Sequence, residues 1–131
     1  MLKLYTDAAV KGNPGPAGIG ILIVGLNTPI EKSAPIAPMT NHEAEFVAAI
    51  HGFNELVHAG LAGQNVQLIS DSKLVIDALN KGYTKHYGAL YAELVQAAAP
   101  FPLVIPTWQN EKQNHRAHQL ALRGLHANRA D

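Results

Sequence analysis

The sequence predicts an α/β fold: a five-stranded mixed sheet, made of a three-stranded antiparallel meander plus two parallel strands, with helices on both faces. Three observations carry that expectation. Apolar segments of period two open the chain. Segments of helical period then alternate with short apolar strands. Every change of period is marked by glycine, proline or asparagine.

The elements follow in order. Leu2, Leu4 and Thr6 alternate with Lys3, Tyr5 and Asp7, which is the period of a strand. Gly12-Asn13-Pro14-Gly15-Pro16 breaks it. Gly18 to Gly25 reads as a second strand, apolar enough to be buried, and after a turn at 26–29 a weaker third runs from about Ile30 to Ile36. From Asn41 to about His58 the period is helical, and Gly60 and Gly63 stop it. Asn65 to Ser70 is a buried strand, Ser72 to Lys81 a short helix ended by Gly82, and Gly88 to Ala99 a helix ended by Pro100. Leu103 to Trp108 is the last strand, with Trp108 expected in the core, and Glu111 to about Asn128 the last helix.

Length and composition set outer bounds. At 131 residues, 47% hydrophobic and 15% charged, the chain is expected to fold as one ordered domain over residues 1–131. Ten basic residues balance ten acidic ones, which is not the charge of a protein that grips nucleic acid by bulk electrostatics. Any such partner must be held by local contacts, metal ions or other modules. The absence of cysteine excludes disulfides and thiolate metal sites. The first residues lack the apolar stretch of a signal peptide, and no apolar run approaches the ~20 residues of a membrane span. A cytoplasmic, monomeric protein without a membrane partner is expected. Most of the seven histidines are expected at the surface.

Four polar residues break their local pattern. With the first helix advanced 100° per residue, Glu45 falls within roughly 40° of Leu56 and Ala49, so it lies inside the packing face. A carboxylate there is costly unless a cation or strong donors meet it. In the last helix His118 falls between Leu122 and Leu125 on the inward face. Asp7 and Asp71 each close an apolar strand, a position with an ordinary use as a turn or helix cap. Capping leaves the inward Glu45 and His118 unexplained. If the strands bearing the two aspartates are parallel neighbours, both emerge at one carboxyl edge, where open α/β sheets place their sites.

Thr6-Asp7-Ala8-Ala9 followed by Gly12-Asn13-Pro14-Gly15 resembles the first motif of the type 1 ribonuclease H family. Thr40-Asn41-His42-Glu43-Ala44-Glu45 resembles its Thr-Asn-x-x-Ala-Glu helix start, and Leu68-Ile69-Ser70-Asp71-Ser72 its third motif. Trp108 and Asn114-His115-Arg116-Ala117-His118-Gln119-Leu120-Ala121 resemble the fourth, Asn-x-x-Ala-Asp-x-Leu-Ala, with His118 standing where the pattern has aspartate. The resemblance spans essentially the whole chain. It implies an RNase H-like fold and a metal-dependent endoribonuclease that cuts the RNA strand of an RNA–DNA hybrid to 5′-phosphate and 3′-hydroxyl ends. It further implies that Asp7, Glu45, Asp71 and His118 are the catalytic, metal-binding set for two Mg²⁺ or Mn²⁺ ions, with Asp7 bridging both. An imidazole in the set tilts the preference toward Mn²⁺. Gly12, Asn13, Thr40, Asn41 and Ser72 are the implied substrate contacts. The basic protrusion of some relatives is missing, leaving Lys81, Lys85 and His86, and the loop from Gln109 to Gln113 carries no histidine. Those departures keep two alternatives open: a weak or silent domain binding nucleic acid or protein, and a related structure-specific nuclease.

Overall fold

The computed structural model describes residues 1–127. β1 (Leu2–Val10), β2 (Gly15–Val24) and β3 (Ile30–Met39) form the antiparallel meander. After it come α1 (Asn41–His58), β4 (Val66–Ser70), α2 (Lys73–Lys81), α3 (Gly88–Ala98), β5 (Val104–Trp108), a 3-10 turn (Glu111–Asn114) and α4 (His115–Ala127). The sheet order is β3-β2-β1-β4-β5, with β4 parallel to both β1 and β5. The expected end of the last helix, Asn128, lies outside the described residues.

Three strands run further than the sequence suggests, β2 beginning at Gly15 rather than Gly18. β1 continues three residues past Asp7, because β2 goes on pairing with it from Asp7↔Gly20 to Val10↔Ala17. β3 reaches Met39 through Pro35 and Pro38. It lies at the sheet edge and pairs only with β2, so a missing N–H costs little there.

Alternation along β1 sorts the two faces. Leu4 and Thr6 meet α1: a Cβ on Gly52 would lie 2.8 Å from Thr6 Cγ2 and 3.1 Å from Leu4. Phe46, Phe53 and Leu56 of α1 bury there with Ile19, Ile21, Val75 of α2 and Leu94 of α3. Asp7, Ala9 and their cross-strand partners Gly20 and Gly18 face α4. A Cβ on Gly20 would sit 2.2 Å from the Ala117 carbonyl oxygen, so α4 rests directly on the sheet backbone. Ala117, Leu120, Ala121 and Gly124 are its buried residues, together with Leu125.

This packing shifts two expectations. The buried face of α4 is its alanine–glycine side, so His118 stands at the margin of that face rather than at its middle. Trp108 is not core: it is 44% exposed at the end of β5.

Candidate active site

The last paired residues of the parallel β1–β4 ladder are Tyr5 and Ile69. Two residues beyond each stand Asp7 and Asp71, at one carboxyl edge of the sheet. Glu45 joins them from the second turn of α1. Its orientation is fixed by the neighbouring Phe46 and, two turns on, Phe53, both fully buried. Burying two such side chains contributes about 3–6 kcal/mol, comparable with the several kcal/mol that desolvating one carboxylate costs.

One carboxylate oxygen from each of Asp7, Glu45 and Asp71 lies within 4.8 Å of the others. Asp7 is 2% exposed. Its carboxyl is pushed up to about 7, first by burial and then by the negative charge of Asp71. Glu45 is held well above the ordinary carboxylate range by burial and then by the charges of Asp7 and Asp71. Asp71 Oδ1 is buried without a hydrogen-bond partner. Three mutually repelling carboxylates and an orphaned buried oxygen fit a hard, oxygen-seeking divalent cation.

His118 reaches this group through Asp7: Nδ1 lies 2.9 Å from Asp7 Oδ2. The other ring nitrogen, Nε2, lies 3.3 Å from Glu111 Oε1. The ring thus spans two carboxylates, touching Asp7 but standing outside the mutual cluster of the other three. Gly20, opposite Asp7 and without a side chain, is what lets α4 bring the imidazole this close. Asp7, Asn41, Glu45, Asp71, Glu111 and His118 wall one cavity. A second cleft shares Asn41, Glu45 and Asp71 with it and extends past Ser72 and Lys73 to Trp108.

The implied substrate residues are placed unevenly. Asn41 lines both clefts. Asn13 Oδ1 accepts a hydrogen bond from the Asn41 N–H at 2.9 Å, which fastens the loop at 11–14 to the start of α1. Gly12, with φ of +91°, makes the turn that carries Asn13 there. Thr40 is the α1 N-cap: its hydroxyl accepts from the Glu43 N–H and donates to Glu43 Oε1 in a capping box. Ser72 caps α2, its Oγ accepting from the Val75 N–H.

Sequence reasoning missed two features. Glu111 stands in the 3-10 turn ahead of α4 and approaches His118 from outside the helix, so no helical period places it there. Trp108 does not fill the core. Its Nε1–H donates to the Asp71 carbonyl at 3.0 Å, bracing the backbone of a site residue, and Lys73 Nζ lies 4.9 Å from its ring centre.

A family model described as RNase H matches residues 1–126. The Enterococcus faecalis protein EbsB is 38% identical over 127 residues, covering 95% of this chain and 94% of that protein. A ribonuclease H of Trichodesmium erythraeum is 38% identical over 88 residues, or 67% of this chain and 54% of the relative. The chain therefore spans about half the length of that ribonuclease. Among solved structures, RNase H1 of Halobacterium salinarum superposes with a TM-score of 0.86 at 27% identity, covering 96% of this chain and 98% of the other. LC11-RNase H1 in complex with an RNA/DNA hybrid superposes with a TM-score of 0.87 at 27% identity, covering 99% and 100%.

Proposed function

From the premise that this chain belongs to the RNase H family, we propose that it hydrolyses the RNA strand of RNA–DNA hybrids at a divalent-cation cage of Asp7, Glu45 and Asp71, completed by His118. The observation that carries this is the convergence of three carboxylate oxygens within 4.8 Å, one of the aspartates being buried and another bearing an unpartnered buried oxygen. Left without a cation, that arrangement costs stability through desolvation and repulsion. The hybrid-bound relative supports the choice of substrate.

A pair of divalent cations held there would supply an activated water, charge neutralisation and leaving-group stabilisation for in-line displacement at phosphorus. Asp7 belongs to the carboxylate cluster and also touches His118, so it would serve both ions. Glu45 and Asp71, which also line the second cleft, would hold an ion with Asp7, and His118 would complete the set. An imidazole in place of a fourth carboxylate removes one negative charge and favours Mn²⁺ over Mg²⁺. The products are a 5′-phosphate and a 3′-hydroxyl.

Asn41, with the Gly12–Asn13 turn hydrogen-bonded to it, presents amides and bare backbone beside the cage, where 2′-hydroxyls of the RNA strand can be sensed. The hydroxyls of Thr40 and Ser72 are engaged in caps, and each retains acceptor capacity for a substrate contact. A cytoplasmic location and a monomeric state belong to the same proposal.

Labelled RNA–DNA hybrid, duplex RNA and duplex DNA, each incubated with Mg²⁺ and then Mn²⁺, test the activity. The RNA strand of the hybrid alone is expected to be cut, faster with Mn²⁺, and Asp7→Asn to be inactive. A hybrid bound but left intact with either ion supports a silent binding domain instead, the alternative favoured by His118. Cutting of duplex DNA would point to a different nuclease.

A further inference from the structure

We infer that Lys73 is the phosphate anchor of this site: seated over the Trp108 indole at the second cleft, its ammonium meets a backbone phosphate of the nucleic acid held beside the cage. The inference rests on the nuclease reading above and adds a binding residue to it.

The cavity and the cleft beside it are lined by groups that repel a polyanion. Asp7, Glu45, Asp71 and Glu111 all carry carboxyl groups there. Among the described residues lining the two, Lys73 is the only lysine or arginine. A strand lying in the second cleft therefore meets a single fixed positive charge, carried two residues beyond Asp71.

Lys73 has no evident structural use. The first turn of a helix favours acidic side chains, yet α2 has none there and opens on this lysine, whose charge opposes the helix dipole. Asp77 stands one helical turn on, at the spacing of a helical ion pair, but lines a different pocket. No ion pair among the described residues includes Lys73.

What holds the side chain is an aromatic ring. Lys73 Nζ lies 4.9 Å from the Trp108 ring centre, within the range of cation–π attraction. The ring is itself fixed at two points. Its Nε1–H donates to the Asp71 carbonyl at 3.0 Å, and its backbone pairs with Ser70 at the end of the β4–β5 ladder. The indole thus limits where a flexible four-carbon stem places its charge. A carboxylate in that place would neutralise the ammonium; the ring seats it and leaves its charge and N–H donors for a phosphate.

Salt dependence of binding tests this, because each phosphate contact adds about 0.9 to the slope of log affinity against log salt. Anisotropy of a labelled RNA–DNA hybrid is followed from roughly 50 to 200 mM KCl at constant Mg²⁺, in the Asp7→Asn background so that the hybrid stays intact. Lys73→Gln is expected to lower the slope by about 0.9 and the affinity at the lowest salt by about tenfold. Lys73→Arg, which keeps the charge and also stacks on a ring, should retain both. Lys3→Gln removes the same charge at the other end of β1 and should leave the slope unchanged. In cleavage by the otherwise wild-type chain, Lys73→Gln should raise KM by a similar factor and leave kcat within about twofold. An unchanged slope in Lys73→Gln overturns the inference, as does an equal loss in Lys3→Gln. Cleavage that persists while Lys73→Gln keeps the full slope refutes the anchor and retains the nuclease. A hybrid bound through Lys73 yet left uncut by the wild type retains the anchor and refutes the nuclease.

Discussion

Asp7 is buried beside two further carboxylates, so desolvation and repulsion both oppose its charge. Removing that charge with Asp7→Asn is expected to abolish cleavage and to raise the melting temperature in metal-free buffer, by roughly 3–5 °C for each kcal/mol relieved. A lower melting temperature in EDTA would contradict this. The same strain gives a pH dependence. Because the folded state holds the Asp7 proton up to about pH 7, while the unfolded chain releases it near the ordinary value of 3.8, the folded state binds more protons between those values. Metal-free stability should therefore fall as pH rises from about 4 to 7, the raised Glu45 acting in the same direction. Urea midpoints in EDTA should be lower at pH 8 than at pH 5, and Mg²⁺ should recover the difference at pH 8. His118→Asp restores a fourth carboxylate and is expected to enhance Mg²⁺-supported cleavage. An unchanged preference between Mg²⁺ and Mn²⁺ would show that position 118 does not touch the cation. Glu45 could be read from the sequence because α1 buries ordinary apolar residues around it. Glu111 could not, because a 3-10 turn interrupts the helical period on which such a projection depends.

α4 and the meander show what periodicity conveys and where it fails. The bounds of α1 were legible to the residue, since its capping box and apolar face agree. The orientation of α4 was not. Two leucines suggested the buried side, but the contact is made by small residues against Gly18 and Gly20, where backbones approach too closely for any side chain. Gly20→Ala should therefore push α4 off the sheet. We expect a loss of about 1–3 kcal/mol in urea unfolding, together with weaker activity as His118 withdraws from Asp7. A variant of unchanged stability would place the helix further from the sheet. The end of β1, the start of β2 and the end of β3 differ from the sequence expectation for a related reason: all are set by pairing within the meander, and single-strand periodicity does not report pairing. Trp108, expected in the core, instead ends the edge strand β5 and lines the cleft with its N–H on Asp71, because an edge strand buries only part of its length.

For the molecule as a whole, the fold class was legible because element order and right-handed crossovers leave few arrangements for a meander followed by parallel strands. The convergence of residues 7, 45, 71 and 118 was legible only through topology. It requires β1 and β4 to be parallel neighbours, which they are. Balanced charge implies that few phosphate contacts hold a substrate, so affinity for the hybrid should fall only gently with salt. Each contact contributes a slope of about −0.9 in log affinity against log salt, and a total steeper than roughly −5 would reveal a basic surface that the sequence lacks. The most direct measurement is anomalous diffraction from crystals of this protein soaked in Mn²⁺. Peaks are expected between the carboxylates of Asp7, Glu45 and Asp71, with one against His118 Nδ1. No peak among those carboxylates at saturating Mn²⁺ would contradict the metal cage on which the proposed chemistry depends.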